Sequence, residues 1–546
     1  MESTWKPAPA ASRSTRSRAD GRPQLGFAAR ERAWLAFGVS LGMAILACTR
    51  ADSAAPGGIG SGGDTVVIAS STDSIPPTVP APAVVAPSAT LPPPSPEPIV
   101  SPTFPPTPTQ AVQSSSENIL YRVQPGDVLR SVAVRFGVLP ADILLPEGVL
   151  PGDSSLLSAG QILFIPRRLG STGPAEPLLP DSELVYSPHA IDFDIAGFVE
   201  AQGGYLSEYQ EVVAKRTRTG AEVVALAARD HSVNPRVLLA LLEYHSGWVT
   251  QTGRPAGSAF DFPLGHLAPE TQGLYRQLTW LANELGTGYY GWRAGTMTEL
   301  LFPDSSLVRL APELNAGTVA LQYYFSLRTS GRSWAEAVSP TGFIETYWRL
   351  FGDPFDYAHP LYEVGIQQPE LILPFLKGRI WAFTGGPHGA WERESAWAAL
   401  DFAPSSLEPG CADSEDWVLA AAAGLVVRSG NGVVVLDLDA DGEEQTGWNL
   451  LYLHIGADAL VREGQLVEQG DLLGHPSCEG GVATGTHVHL ARKYNGEWIL
   501  ADGPLPFTLS GWVAQAGSKP YQGALTKGDQ IVYACTCASH ATYISR

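Results

Sequence analysis

A stretch near the N-terminal end of the chain cannot form a packed core. Residues 49–117 are dominated by Pro, Ser, Thr and Ala and contain few large apolar side chains. Such a composition stays extended because it buries too little apolar surface to offset the entropy lost on ordering. We therefore predict a disordered Pro/Ser/Thr-rich stalk here. The chain has 546 residues, more than one hydrophobic core can use, so we expect about three or four domains.

The residues before the stalk have the pattern of an export signal. Seven basic residues precede an uncharged apolar stretch from Ala33 to Ala47. At 15 residues, this stretch is shorter than the roughly 20 that a membrane span needs. The segment Ile45-Leu46-Ala47-Cys48 resembles a bacterial lipoprotein cleavage box, which implies lipidation of Cys48. We therefore expect residues 1–48 to be a lipoprotein leader that anchors the protein on the outer face of the cell envelope. Ordinary secretion and a retained signal anchor are the alternatives.

The formal net charge of −20 argues against a nucleic-acid partner. Domains that bind nucleic acids carry a basic surface that neutralises phosphates. Beyond the leader, the tight basic clusters of this chain are Arg167-Arg168 and residues 215–218. We therefore expect no nucleic-acid binding, and the oligomeric state stays open.

Residues 118–168 have the pattern of a small domain. Asp127 is placed to cap a helix and Gly137 to end it, with an apolar stripe between them formed by Leu129, Val132, Ala133 and Phe136. A closing strand over residues 160–166 completes the order strand, helix, helix, strand. The segment resembles a LysM module, a family that binds glycans containing N-acetylglucosamine, such as peptidoglycan. The resemblance implies a βααβ fold that holds glycan, with a purely structural module as the alternative.

Helical periodicity characterises residues 180–355. Thr219 precedes one apolar-periodic run and Asn234-Pro235 precedes another, both good helix starts. A third run covers residues 314–323, and the sequence Tyr-Tyr-Gly-Trp-Arg at residues 289–293 predicts an aromatic loop. We therefore expect an all-α domain.

Parts of this region resemble a lysozyme or lytic transglycosylase fold, a family that cuts the glycan strand. The resemblance rests on residues 234–236, 241–247 and 289–293. The catalytic acid of that family is a Glu directly before a Ser, and this chain has His245 there. Glu243 lies two residues earlier, about 200° around a helix, so it faces away. The resemblance thus implies a degenerate domain that holds glycan in an aromatic groove, with glycan cleavage as the alternative.

Histidine and aspartate residues towards the C-terminal end are of the types that form a hydrolytic metal site. His487 and His489 make an H-x-H pair, and in a β-strand both imidazoles of such a pair lie on one face. The surrounding segments are apolar, rich in β-branched residues and separated by glycine turns, at residues 424–428, 432–438, 450–455 and 486–491. This pattern predicts an antiparallel β-rich domain over residues 374–546.

Four segments of this domain resemble the lysostaphin-type zinc endopeptidases. They are Gly385-Gly386-Pro387-His388, Ala399-Leu400-Asp401-Phe402, Tyr452-Leu453-His454 and residues 485–489. The resemblance implies that His388, Asp401 and His489 hold Zn²⁺, while His454 and His487 polarise water or stabilise the tetrahedral oxyanion. Three protein ligands leave zinc one open position, at which water becomes acidic enough to hydrolyse an amide.

The spacing of the first two of these ligands departs from many members of that family. Those members place the Asp four residues after the first His, whereas 12 residues separate His388 from Asp401 here. We expect the longer loop to return Asp401 to the metal and to roof the cleft.

The cysteines after the leader fit an exported protein. Cys411, Cys478, Cys535 and Cys537 are an even number and allow three pairings. We expect Cys411 to pair with Cys478, because each lies in a loop beside the candidate site. A four-cysteine zinc site is the rival interpretation, although one residue between Cys535 and Cys537 is not the usual spacing.

Two classes of function follow from these patterns. The first is a peptidoglycan peptide hydrolase that glycan-binding modules position on the wall. The second is a noncatalytic wall-binding or amidase-activating protein built on the same folds. Retention of all five site residues favours the enzyme.

Overall fold

The computed structural model describes residues 118–392, 396–405, 410–457 and 461–546. The predicted leader, the lipidated Cys48 and the stalk lie outside these residues and stay predictions. Within the described part of the chain, no helix combines the length and the apolar character needed to cross a bilayer.

Residues 118–166 form a two-stranded sheet with one helix packed against it. Strand β1 (Asn118–Arg122) pairs antiparallel with β2 (Ile162–Pro166), and helix α1 (Leu129–Phe136) lies between them in sequence. The prediction of a second α-helix is wrong, because only a 3₁₀ turn at Pro140–Asp142 forms after α1. Prolines at positions 140, 146 and 151 interrupt the backbone hydrogen bonds that a longer helix needs.

Asp127 does not cap helix α1, which is a second correction. Val128 occupies the cap position, and no side chain accepts a hydrogen bond there. Asp127 instead accepts from the hydroxyl of Tyr121 at 2.6 Å and pairs with Arg135 at 2.7 Å. The carboxylate therefore joins strand to helix. The helix ends at Gly137, as expected, with φ of 66°.

The region from residue 180 to 355 is mostly helical, and its helix starts follow the local sequence. Thr219 Oγ1 accepts from the N–H of Glu222, whose carboxylate accepts from the N–H of Thr219, and Asn234 caps the next helix. The two predicted starts are therefore confirmed. The helices are α2 Asp181–Leu184, α3 Ile195–Gln202, α4 Tyr205–Glu208, α5 Gly220–His231, α6 Pro235–Ser246, α7 Ser258–Asp261, α8 Leu274–Ala294, α9 Ala316–Ser326, α10 Gly331–Ala337 and α11 Phe343–Phe351.

Two expectations for this region are wrong. It is not all-α, because it contains two hairpins, β3 (Gln210–Val213) with β4 (Arg216–Thr219) and β5 (Glu299–Leu301) with β6 (Leu307–Arg309). Residues 289–293 are not a loop but the last turns of α8. Tyr289 and Trp292 lie three residues apart, so a helix places both on its buried face. Their burial stabilises the helical conformation through Gly291.

The C-terminal region is built on antiparallel β-sheet, as predicted. The strands are β7 Trp381–Gly389, β8 Trp397–Pro404, β9 Val418–Leu419, β10 Gly424–Gly430, β11 Val433–Asp437, β12 Trp448–Leu453, β13 Leu466–Val467, β14 Leu472–Gly474, β15 Val488–Tyr494, β16 Glu497–Trp498, β17 Thr508–Leu509, β18 Trp512–Ala516, β19 Gly523–Lys527, β20 Gln530–Tyr533 and β21 Tyr543–Ile544. The main sheet has nine strands among the described residues, in the order β13-β10-β11-β12-β15-β8-β7-β21, with β16 paired to β15. A second sheet has the order β17-β18-β19-β20, and β9 pairs with β14.

The two faces of the main sheet bury different groups. One face carries the larger core, with Phe402, Leu450 and Leu490 among its members. The opposite face buries a smaller apolar set that includes Leu451 and Ala491. Because side chains alternate along a strand, His489 lies on the same face as Ala491. The candidate site therefore belongs to the face with the smaller core.

The helical region packs against this smaller core. Tyr290 of α8 contacts the apolar set, and its hydroxyl accepts a hydrogen bond from the N–H of Trp498 at 3.0 Å. Arg428 of β10 pairs with Asp230 of α5 at 2.6 Å, and Arg293 of α8 pairs with Glu497 at 3.3 Å. Buried ion pairs and an apolar contact thus join the two regions beside the face that carries the site.

Candidate metal centre

Three neighbouring strands bring the predicted metal ligands together. His489 on β15 lies directly opposite Asp401 on β8, and His388 lies near the end of β7, the next strand across. The register between β7 and β8 shifts twice between residues 383 and 388. Because β7 and β8 pair antiparallel, with Gly385 opposite Asp401 and His388 opposite Ala399, Asp401 returns to His388 despite the longer spacing.

The ligand atoms of these three residues converge at short distances. His388 Nε2 lies 3.0 Å from His489 Nδ1. Asp401 Oδ1 lies 3.3 Å from His388 Nε2 and 3.2 Å from His489 Nδ1. All three side chains are buried. The cluster therefore offers two nitrogens and one carboxylate oxygen to a common point.

Backbone carbonyls determine which ring nitrogens carry protons. His388 Nδ1 donates to the carbonyl of Gly386 at 2.8 Å, and His489 Nε2 donates to the carbonyl of Ala390 at 3.0 Å. A carbonyl oxygen only accepts, so each of these nitrogens holds the proton of its neutral ring. His388 Nε2 and His489 Nδ1 are then bare lone pairs that face each other and a carboxylate.

Such a donor set fits a divalent cation. Two lone pairs and a carboxylate repel one another at these distances unless a positive charge lies between them. Asp401 Oδ1 is buried and has no hydrogen-bond partner among the described residues. The three ligand atoms lie within 4.8 Å of one another, and His and Asp are ligands that Zn²⁺ takes in catalytic sites. Carbonyl contacts to the outer ring nitrogens are the usual support of metal-binding histidines.

Charge and burial oppose each other at these ligands. Burial lowers the pKa of His388, but the Asp401 carboxylate outweighs it and raises the net value above the ordinary range. Burial raises the pKa of Asp401, yet the imidazoles of His388 and His487 hold it well below its ordinary value. Burial lowers the pKa of His489. Asp401 is therefore a carboxylate at neutral pH.

His454 and His487 lie beside the three ligands. Their ring centroids are 4.4 Å apart, and His487 Nε2 lies 3.7 Å from Asp401 Oδ1. His454 Nδ1 donates to the carbonyl of Glu479 and His487 Nδ1 to that of Gly485, each at 2.7 Å. Both rings therefore keep a bare Nε2. Burial, then the neighbouring His487 and His489, lower the pKa of His454 to about 4.

A disulfide holds the loops that orient these two rings. The structure joins Cys411 to Cys478, with Cα atoms 5.7 Å apart. Cys478 precedes Glu479, whose carbonyl accepts from His454, and Gly410 accepts from the N–H of Thr486, next to His487. Cys535 and Cys537 also pair with each other, so the cysteines do not form a zinc site.

The insert between His388 and Asp401 contacts the helical region. The Glu392 carboxylate accepts from Asn283 Nδ2 of α8 at 2.9 Å, and Trp391 packs against the smaller core. Glu392 is thus a hydrogen-bond partner of the helical region as well as an exposed charge. Whether the insert roofs the cleft stays a prediction, since residues 393–395 lie outside the described residues.

Sequence reasoning missed one side chain at the centre. Tyr521, in the loop between β18 and β19, stacks on the His388 ring with centroids 4.1 Å apart. Its carbonyl accepts from the N–H of Gly386, and its φ is 68°. Tyr521 follows His388 by more than a hundred positions and belongs to no motif, so only the packing of the second sheet reveals it.

At the position where lysozymes carry their catalytic acid, this chain has His245, and the nearby Glu243 carboxylate is already bonded. His245 Nε2 contacts the Tyr324 hydroxyl at 2.8 Å, and burial lowers the pKa of His245 to about 3. The Glu243 carboxylate accepts from the N–H groups of Val249 and Thr250 and pairs with Arg349 at 3.4 Å. Both side chains therefore hold the end of α6 in place. The resemblance to lysozymes itself stays a prediction.

Comparisons with known proteins match two parts of the chain. Residues 177–363 match the model described as LasA, N-terminal domain, and residues 410–500 match Peptidase family M23. Over 326 residues the chain is 26% identical to the protease LasA of Pseudomonas aeruginosa. The matched region covers 56% of this chain and 73% of that protein.

Solved structures with similarity include two peptidases. The deep-sea M23 metalloprotease pseudoalterin is 22% identical, with 33% of this chain and 99% of that chain covered and a TM-score of 0.28. The catalytic domain of the antimicrobial peptidase lysostaphin from Staphylococcus simulans is 21% identical, with 23% and 89% covered and a TM-score of 0.16. The C-terminal region is thus similar to Peptidase family M23 over residues 410–500, and the region before it is similar to the N-terminal domain of LasA.

Proposed function

We propose that this chain is a zinc-dependent peptidase that hydrolyses an amide bond in the stem peptide or cross-bridge of peptidoglycan. The observation that carries the proposal is the convergence of His388 Nε2, His489 Nδ1 and Asp401 Oδ1 with no ring proton directed between them. The match to Peptidase family M23 and the identity with protease LasA support a peptidase. The resemblance to lysostaphin-type endopeptidases supports peptidoglycan as the substrate.

In this proposal His388, Asp401 and His489 hold Zn²⁺. Bound zinc polarises an amide carbonyl and lowers the pKa of water toward about 7. The chain's own contribution is orientation: the carbonyls of Gly386 and Ala390 hold the two imidazoles in the tautomers that present bare nitrogens. Asp401 contributes a charge that offsets part of the positive charge of the metal.

His454 and His487 supply the proton chemistry. Each donates through Nδ1 to a backbone carbonyl, which leaves Nε2 able to accept a proton. Because the pKa of His454 is about 4, this ring is neutral at pH 7, and its Nε2 lone pair can accept a hydrogen bond from water. His487, 3.7 Å from Asp401, lies where a protonated ring would stabilise the oxyanion of a tetrahedral intermediate.

The test is zinc content together with the products released from peptidoglycan. We expect the purified full chain to bind about one zinc and to release new amine groups. The variant His489→Ala should lose both, whereas His475→Ala, a histidine outside the centre, should keep both. Zinc-loaded wild type that releases no amines, or a His489→Ala variant that releases as many, would leave only a noncatalytic wall-binding protein. New reducing or anhydro-sugar ends that persist in His489→Ala would assign cleavage to the helical region instead.

We also propose that residues 118–168 and the helical region hold the glycan strand while the M23 domain cuts. The helical region offers a stacked pair, His266 on Trp280 with ring centroids 4.1 Å apart, and a half-exposed Tyr244. Sugar rings bind on such aromatic surfaces. Lipidated Cys48 would retain the protein at the envelope, where its substrate lies. We expect Trp280→Ala to lower retention on insoluble peptidoglycan without changing zinc content.

A further inference from the structure

A second group of possible ligand atoms lies at the end of β11 and in the loop that leads to β12. Asp437, Asp439 and Asp441 each offer a carboxylate oxygen, and these atoms lie within 4.8 Å of one another. Together with Gly442 they occupy the first, third, fifth and sixth positions of an EF-hand calcium loop. The twelfth position, a Glu in that loop, is Trp448 here. The spacing alone therefore does not define a site.

An independent observation comes from a buried amide beside the carboxylates. Asn449 lies directly opposite Asp437 in the antiparallel pair of β11 and β12, so both side chains point to the same face, with Cβ atoms about 5 Å apart. Its Nδ2 donates to the carbonyl of Thr446 at 2.7 Å, and the Thr446 hydroxyl donates to Asp441 at 2.7 Å. The amide is thus held against the turn that carries the carboxylates.

The oxygen of this amide lacks a partner within the part of the chain that the structure describes. Asn449 is 0% exposed, and its Oδ1 accepts no hydrogen bond from the described residues. Buried polar atoms without a partner are rare, because the free energy lost on removing them from water is not offset by a new hydrogen bond or ion contact. A cation bound by the three neighbouring carboxylates would be the missing partner.

The charges in this loop are also uncompensated. Asp437 is fully buried and accepts from the N–H groups of Asp439 and Gly442, but it forms no ion pair among the described residues. The basic side chains on this part of the sheet, Arg428 and Lys493, pair with Glu444 instead.

We propose that Asp437, Asp439, Asp441 and Asn449 bind one Ca²⁺. All the ligands are oxygens, which calcium prefers, and two oxygens at 2.3–2.6 Å from one Ca²⁺ lie at most about 5 Å apart. Mg²⁺ holds its own waters and seldom binds in an all-protein cage. The ion joins the loop to β12, next to Glu444 and its contact with the helical region. This site contains no histidine, and it stands whether or not the M23 domain is active.

The test uses the zinc-loaded full chain in metal-depleted buffer. Added CaCl₂ should raise the thermal midpoint by about 2 °C or more, while equal MgCl₂ should raise it less. Tb³⁺, a luminescent substitute for Ca²⁺, should be sensitised by the neighbouring Trp448 and displaced by CaCl₂. Zinc content should stay constant throughout.

The matched variants keep the shape of the side chains and remove charge. Asp439→Asn with Asp441→Asn, both at exposed positions, should lose the calcium shift and the displaceable Tb³⁺ signal. Asp529→Asn, in the exposed turn between β19 and β20, should keep both. If the double variant does not fold, Asp441→Asn alone and the Tb³⁺ signal of the wild type decide the matter. A midpoint that responds equally to MgCl₂, no Tb³⁺ displacement in the wild type, or an unchanged shift in the double variant would overturn the proposal.

Discussion

The four histidines of the candidate centre differ in the ring nitrogen that they present to it. His489 donates to a backbone carbonyl through Nε2, whereas His388, His454 and His487 donate through Nδ1. Each contact determines a tautomer and therefore the position of a lone pair. The H-x-H spacing alone predicts only that two rings share a face. Their different orientations depend on the carbonyls of Ala390 and Gly485, which lie in separate loops.

At the residue scale, we expect His454→Ala to separate catalysis from metal binding. The bare Nε2 of His454 acts on water in the proposed reaction, and no ligand atom of this residue belongs to the metal cluster. The variant should retain zinc and lose about 10²–10⁴ in kcat toward peptidoglycan peptide bonds. Elemental analysis and amine release measure the two quantities. Loss of zinc in this variant would mean that His454 is a ligand, contrary to the proposal.

At the scale of elements, helix α8 shows how packing overrides local preference. The three glycines between residues 286 and 291 disfavour a helix by propensity, and the sequence predicts a loop at residues 289–293. A Cβ at Gly288 would lie 2.8 Å from the Cα of Ala320 in α9. The glycine therefore allows the two helices to approach closely. Burial of Tyr289 and Trp292 then stabilises a helix that propensity alone disfavours.

We accordingly expect opposite effects from two Gly→Ala substitutions in α8. Helix propensity favours Ala over Gly by about 1 kcal/mol. At Gly286 a Cβ meets only Tyr290 at 3.9 Å, so Gly286→Ala should be neutral or stabilising. At Gly288 overpacking costs roughly 1–3 kcal/mol, so Gly288→Ala should lower stability by up to about 2 kcal/mol net. Urea unfolding followed by circular dichroism compares the two. Equal stability of both variants would contradict the close approach.

Local signals predicted some elements and not others. Thr219 and Asn234 satisfy N–H groups within three residues of themselves, so their helix starts are legible in the sequence. Asp127 has the residue type of a helix cap, but in the folded chain its carboxylate binds Tyr121 and Arg135 instead of the helix N–H groups. Capping is local, whereas an ion pair with a buried arginine depends on what packs around it.

At the scale of the whole molecule, a buried charge network joins the helical region to the sheet. Arg428 lies between Asp230 and Glu444, and Lys493 binds Glu444 at 3.0 Å. Burial raises the pKa of Glu444, but Arg428 and Lys493 outweigh it and lower the value to about 2. The contact between the two regions therefore depends on the ionised form of Glu444.

This network predicts a stability that falls in acid. The folded pKa of Glu444 lies below its unfolded value of about 4.3, so the stabilisation is complete above that pH. It should be lost progressively as the pH falls from about 4.3 to 2. Glu444→Gln should be less stable at pH 7 and should have a shallower pH dependence over this interval. Thermal midpoints across the pH series measure the stability at pH 7 and its pH dependence. Parallel curves for wild type and Glu444→Gln would show that Glu444 is not the group whose protonation destabilises the protein.

Sequence by itself determined the helix starts at Thr219 and Asn234 and the β-rich C-terminal region, while the stalk stays a prediction. It also singled out the five residues that the structure brings together in the candidate centre. The helix starts and the β-rich region follow from residue type and period, which depend on short-range chemistry, whereas the five residues follow from the resemblance to lysostaphin-type endopeptidases. Tertiary structure alone decided the tautomers, the stacking of Tyr521 on His388, the helix through residues 289–293 and the oxygen of Asn449 beside the Asp437 loop. Each of these depends on contacts between segments distant in sequence, whose free energies no local pattern records.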